Sequence, residues 1–206
     1  MSAPPARTAV QRRGIERTQA ILDSAEAILA EQGYAAATLK AIGEHAGIPT
    51  ASLYHYFADR GQVEAEVVRR HIPAIDERFA ASLYDSKIHT LRDGVDAMID
   101  PLLAYFRENP GLLQLWFAGR SGTLTELGGL FDDSWAERLW HFLIEHKLIS
   151  TATPLFAVQL MFEMGDRLFD VAFRRSPAGD DVTIDEGRRM LTAYLTTYAP
   201  SGTTSA

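Results

Sequence analysis

Apolar residues recur every three or four positions along nearly the whole chain, and strict apolar–polar alternation is almost absent. Such spacing puts one stripe of each segment against a core if the backbone is helical. In a strand the same residues would scatter over both faces. The expectation is therefore an all-α protein, and glycines and prolines mostly punctuate the periodic segments. With 47% apolar residues, the 206-residue chain can bury a sizeable core.

The helices are read from stripes and caps. Ile21, Leu22, Ala25, Ile28 and Leu29 share one face of a first helix over Ile15 to Gln32, stopped by Gly33. Thr38 is a hydroxyl N-cap for a two-turn helix with Leu39, Ile42, Gly43 and Ala46 inward, ended by Gly47. Pro49 or Thr50 opens a third short helix to about Tyr56, with Leu53 and Phe57 inward, and Asp59 caps a fourth. Pro73 is expected to kink or divide the segment from Arg60 to Leu83. A helix with Pro101 inside it runs from Thr90 to Arg107, and Asn109-Pro110 starts another. Gly119 to Gly129 is the loosest stretch. Helices then follow over Asp133 to Lys147, over Pro154 to Arg174, and from a Thr183–Glu186 capping box to Tyr198.

Two short helices joined by a tight glycine turn make a helix-turn-helix. The stretch Gly33-Tyr34, Ala37-Thr38-Leu39, Ile42-Gly43, Ala46-Gly47-Ile48-Pro49, Ala51, Leu53-Tyr54-His55-Tyr56-Phe57 resembles the DNA-binding domain of the TetR (tetracycline-repressor-like) family. The resemblance covers residues 15 to about 65. Beyond it the chain matches that family only in being helical and of suitable length. Gly43 stands where the family usually has alanine, Arg60 where it has lysine, and Gly61 where it has an acidic residue.

The resemblance implies an N-terminal three-helix helix-turn-helix domain and a C-terminal helical ligand-binding and dimerisation domain. The expected division is a flexible basic leader at 1–14, the DNA-binding domain at 15–60, the regulatory domain at 61–199 and a disordered tail at 200–206. The recognition helix from Thr50 to Tyr56 must enter the major groove with its first residues at base edges. Thr50, Ala51 and Ser52 are small enough for close approach, and hydroxyls and methyls can meet base edges there. Thr38 offers a hydroxyl and free amides at a helix start, a phosphate site. Lys40, Tyr54 and His55 suit phosphates or the groove edge, and Arg60 resembles the family's phosphate-contacting lysine. Plainer readings stay open: Tyr54 as a core aromatic, His55 as an idle surface residue, and the N-terminal arginines as a solvated tail.

The net charge of −7 opposes DNA binding until it is mapped. Residues 1–60 hold six basic and six acidic side chains, so the whole deficit lies in residues 61–206.

In the C-terminal region, Leu155, Phe156, Val158, Leu160, Met161, Phe162 and Met164 make a helix apolar nearly all round. Ile184, Gly187, Met190, Leu191, Tyr194, Leu195 and Tyr198 form a stripe on the last one. The resemblance implies a homodimer through these two helices. An effector pocket of apolar walls and few polar anchors would draw on Trp116, Phe117, Trp135, Trp140, Phe142, Met161, Phe162 and Phe169. Its anchors would be Arg120, His141, Asp166 and Arg167. The alternative for each aromatic is simple core.

Other chemistries find little support. The chain has no cysteine, which removes disulfides, thiolate metal sites and a cysteine nucleophile. His141 and His146 are badly spaced to share an ion on a helix, no HExxH occurs, and neither a nucleophile elbow nor a phosphate-binding glycine loop is present. No metal, cofactor or enzymatic activity is expected. Met1 to Arg13 lacks the apolar core of a signal peptide, and no apolar run suits a membrane span, so the expected location is the cytoplasm. The expected partners are double-stranded operator DNA, a small, largely apolar effector and a second copy, with no membrane. The chain thus reads as a repressor released from a palindromic operator by its ligand. Its alternatives are an activator of the same fold, or an all-α carrier or enzyme that does not bind DNA.

Overall fold

The computed structural model describes residues 6–85, 87–118 and 122–200. Among these residues there are nine α-helices and no strand. They are α1 (Ala6–Gln32), α2 (Leu39–Ala46), α3 (Thr50–Leu53), α4 (Arg60–Leu83), α5 (Leu91–Glu108), α6 (Pro110–Ala118), α7 (Gly122–Glu145), α8 (Leu155–Arg175) and α9 (Asp181–Thr196). A 3-10 turn, Tyr34–Ala36, joins α1 to α2.

The helices gather into two compact units. One comprises Met1–His71 with Asn109–Thr125, and the other Ile72–Glu108 with Glu126–Ala206. In sequence the first break falls between His71 and Ile72, beside Pro73. It lies inside α4 rather than at the 60/61 boundary drawn from the motif.

The core of the first unit is the stripe read from the sequence. Ile21, Leu22, Ala25, Ile28 and Leu29 of α1 are buried, along with Ile42, Leu53, Phe57, Val63 and Val67. Each large side chain contributes roughly 1.5–3 kcal/mol when fully buried. The N-terminal half of α4 is bound to α1 by Arg70 to Asp23 (2.8 Å) and His71 to Glu26 (2.6 Å). α6 packs along α1.

In the second unit α9 packs on α8 and α5. Trp135 is wholly buried, edge-on to Phe79 at 5.1 Å, and its indole N–H donates to Asp76 at 3.1 Å. Arg188 is also buried, and its guanidinium bridges from α9 to Asp96 and Asp100 of α5.

Several expectations need correction. The leader expected at 1–14 is helical over its described part, because α1 begins at Ala6; alanine, arginine and glutamine there favour helix. Residues 1–5 and the tail at 201–206 lie outside the described residues. The glycine-rich stretch is helical from Gly122 onward. Leu124, Phe131 and Trp135 bury one face of α7, and that burial outweighs about 1 kcal/mol lost per glycine. Pro73 does not divide α4, whose buried Val67, Val68, Ile75, Phe79 and Leu83 flank it on both sides. The cap of α9 is Asp180, which accepts the Thr183 amide at 3.0 Å; Thr183 lies inside the first turn and does not cap it. Ile184, Gly187, Leu191 and Leu195 are buried within the protomer, so they cannot face a second copy. The large apolar side chains left exposed on α8 and α9 are Phe156, Leu160, Val182 and Met190.

Candidate nucleic-acid interface

The interface is built from the turn upward. Thr38 sits in extended backbone, and its hydroxyl accepts the Ala41 amide at 3.2 Å, which starts α2. Gly47 ends α2 with φ 66°, a left-handed conformation that glycine adopts without strain. The Ile48 amide then bonds back to the Gly43 carbonyl at 2.9 Å and closes the turn. α3 is a single turn, extended by bonds from the Tyr56 and Phe57 amides to the Leu53 carbonyl.

Gly43 lets the two helices meet. A Cβ there would lie 2.6 Å from Leu53 Cδ1 and 2.8 Å from the Ile48 carbonyl oxygen, both below van der Waals contact. Leu53, wholly buried, occupies that space. The glycine that weakens α2 by propensity is thus the one that admits α3.

The residues expected at DNA separate into two groups. Thr38, Lys40, Ala51, Tyr54 and His55 are exposed. Tyr54 is 57% accessible, which rules out the core reading of that ring. Lys40 has only a loose pairing with Glu44 at 3.9 Å, so its ammonium can swing. Thr50 and Ser52 are half-buried. The Thr50 hydroxyl would lie 3.6 Å from a Cβ at Gly43, so it turns toward α2. Arg17 of α1 brings a guanidinium to 3.5 Å from the Tyr56 hydroxyl, next to α3.

Arg60 belongs with neither group. Its Nε donates to Glu64 Oε1 at 2.5 Å, its Nη2 donates to the Tyr34 carbonyl at 2.7 Å, and its Cζ stands 4.0 Å over the Tyr34 ring. The guanidinium is engaged inside the protein instead of being held out to a phosphate. The Arg60–Glu64 spacing of i, i+4 was legible in the sequence. The third member, Tyr34, lies 26 positions away and carried no signal.

The family model "Bacterial regulatory proteins, tetR family" matches residues 21–67, and "Tetracyclin repressor-like, C-terminal domain" matches residues 90–195. The chain belongs to the TetR family. Among curated relatives, the HTH-type transcriptional repressor KstR2 of Mycobacterium tuberculosis is 33% identical over 82 residues. That match takes in 40% of this chain and only 35% of the relative. A crystal structure of a TetR-family transcriptional regulator from Streptomyces coelicolor is 28% identical, with a TM-score of 0.65 over 88% of this chain and 99% of that one. SmeT, the repressor of the Stenotrophomonas maltophilia multidrug efflux pump SmeDEF, shares the fold at 21% identity, with a TM-score of 0.67 over 90% and 91% of the two chains.

Within this TetR-family regulator, the residues expected to line an effector pocket come from both units. Trp116 and Phe117 lie in α6 and belong to the unit that carries the helix-turn-helix, while Trp135, Trp140, His141, Phe142, Met161, Phe162, Asp166, Arg167 and Phe169 belong to the second. Arg120 lies outside the described residues. Trp135, Phe142, Met161 and Phe169 are buried, and Phe169 meets Phe106 edge-on at 5.9 Å. The Trp140 indole donates to the Thr153 carbonyl at 2.9 Å. Phe162 is half-buried and His141 exposed. Arg167 is exposed and paired with Asp170.

Asp166 lies beside the carboxyl of Asp132, which carries no signal in the sequence. Burial first, then the charges of Asp166, Glu163 and Asp133, push the Asp132 carboxyl up to about 9. The raised value favours a proton on the Asp132–Asp166 pair at neutral pH.

Proposed function

We propose that this regulator is a homodimeric repressor that grips a palindromic operator with α2 and α3 and leaves it when a small effector binds. The observation that carries this reading is the exposed set Thr38, Lys40, Ala51, Tyr54 and His55 around a helix start of small residues. Small side chains let α3 approach base edges, and the flanking polar tips can hold phosphates on either side. Ala51 offers a methyl to a thymine methyl, and Ser52 a hydroxyl to a base edge. Repression is favoured over activation because KstR2 and SmeT are both described as repressors.

Dimerisation is supported by Phe156 and Leu160, one turn apart on α8, with Val182 and Met190 exposed on α9. The effector is a small, largely apolar molecule. The half-exposed Trp140 and Phe162 remain candidates for its site, whereas Trp135, Met161 and Phe169 serve as core. No described helix is long and apolar enough to cross a membrane, and the regulator is proposed to act on DNA in the cytoplasm.

The test is to incubate the protein with a random duplex library and sequence what it retains. A palindrome whose half-sites place two recognition helices about 34–36 Å apart, or a multiple of that, is expected. Recovery of no sequence above background would remove the repressor reading.

A further inference from the structure

The family resemblance assigns residue 60 to a DNA phosphate. The structure engages that side chain elsewhere, at three points. Arg60 joins the first turn of α4 to the backbone of the 3-10 turn through the Tyr34 carbonyl, and it covers the Tyr34 ring. Glu64, 5% accessible, accepts from Arg60. Burial and the neighbouring Glu64 charge both raise the Tyr34 phenol, so it stays neutral beside that carboxylate. Arg60 thus ties the carboxylate, the Tyr34 carbonyl and the Tyr34 ring together at one point.

The location of this tie gives it a function. The 3-10 turn ends at Ala36, and Thr38, two residues on, caps α2. The far side of α2 carries Gly43, against which α3 is seated. A displacement at Tyr34 would thus pass through one short, capped helix to the recognition helix. At the other end of the tie Asp59 caps α4, accepting the Gln62 amide at 2.9 Å, while Gln62 accepts the Ala58 amide at 2.9 Å. The backbone that enters the helix-turn-helix and the backbone that leaves it are fastened at one point.

We propose that Arg60, Glu64 and Tyr34 form a latch that sets the orientation of the helix-turn-helix, with Arg60 as a positioning residue and not a phosphate contact. The proposal rests on the DNA-binding reading above for its consequence, and on the geometry for the latch itself. Arginine is required in this role. Lysine could reach either Glu64 or the Tyr34 carbonyl, but it lacks the planar fork that serves both while lying flat on the ring. A phosphate contact would tolerate lysine.

The experiment compares the full-length parent with Arg60→Lys, Arg60→Ala and Glu64→Gln. Affinity is read across salt concentrations on the duplex recovered by selection and on a mixed-sequence duplex. Amide hydrogen exchange is read on the free proteins. The latch predicts that Arg60→Lys loses nearly as much affinity as Arg60→Ala, roughly tenfold, with the salt dependence of the parent. It also predicts at least tenfold faster exchange at Ala41 and Ile42, in the first turn of α2, and unchanged exchange in α9. Parent-like affinity in Arg60→Lys, together with a salt slope reduced by about one in Arg60→Ala, would identify a phosphate contact and overturn the proposal. Unchanged exchange at Ala41 and Ile42 would overturn it as well. Should the parent bind no duplex, the repressor reading fails, and the exchange data still decide whether the latch exists.

Discussion

The helix-turn-helix unit and the C-terminal unit use apolar residues in opposite ways. In the first, the stripe read from the sequence is the core. In the second, Ile184, Gly187, Leu191 and Leu195 of the α9 stripe are buried inside the protomer, while its Met190 stays exposed, together with Val182 and with Phe156 and Leu160 of α8. Helical periodicity says which face is buried, but not whether a neighbouring helix or a second copy buries it. A short helix with both caps nearby leaves little ambiguity, whereas a long helix apolar on two sides leaves a great deal.

That contrast can be broken most sharply at Leu191. Leu191→Arg buries a charge without a partner, a loss of several kcal/mol, and is expected to unfold the C-terminal unit. Phe156→Arg adds its charge at a site already open to water. It should leave the melting temperature near the parent's while light scattering falls to the mass of one chain. A folded, monomeric Leu191→Arg would return the α9 stripe to the dimer interface.

Gly43→Ala sharpens the comparison within the first unit. Helix propensity predicts a gain of about 1 kcal/mol. The contacts at Leu53 and Ile48 predict an overpacking cost of about 1–3 kcal/mol. The contacts should win, because one of them is backbone. Urea unfolding decides, and a stabilised variant would mean that α3 can retreat freely from α2.

These two sites mark where the sequence was legible. The all-α class, the cap at Thr38, the left-handed turn at Gly47 and the inward Leu53 and Phe57 were each written in neighbouring residues. The latch was only half visible, since Tyr34 acts across a long interval of sequence. The Arg188 bridge to Asp96 and Asp100 was missed for the same reason, because nothing local distinguishes a buried arginine from a solvated one. The helical start of α7 was missed because the glycines were weighed by propensity, while tertiary burial of Phe131 and Trp135 decides the outcome.

The Asp132 carboxyl gives the C-terminal unit a pH dependence of definite sign. Its folded-state value is raised to about 9 from an ordinary value of 3.8. Between these values the folded protein holds a proton that the unfolded chain releases. Its stability contribution is complete below about pH 4 and is lost as pH rises toward about 9. Urea midpoints should therefore fall from pH 6 to pH 8.5, and Asp132→Asn should flatten that trend and raise the midpoint at pH 8.5. A midpoint in the parent that climbs over this interval would contradict the protonated pair. A smaller effect is expected at the other unit, where Thr38→Val removes the α2 cap at a cost of about 1 kcal/mol.

The central claim, that α3 reads bases while its flanks hold phosphates, is tested most directly by a ratio. The affinity for the selected duplex is divided by that for a scrambled one, in the parent, in Ala51→Gln and in Tyr54→Phe. Ala51→Gln should change this ratio by the equivalent of roughly 1–3 kcal/mol, because the substitution sits at a base edge. Tyr54→Phe should weaken both duplexes equally and preserve the ratio, as the loss of a phosphate contact does. If Ala51→Gln also leaves the ratio unchanged, α3 does not read the sequence and the assignment of the interface is wrong.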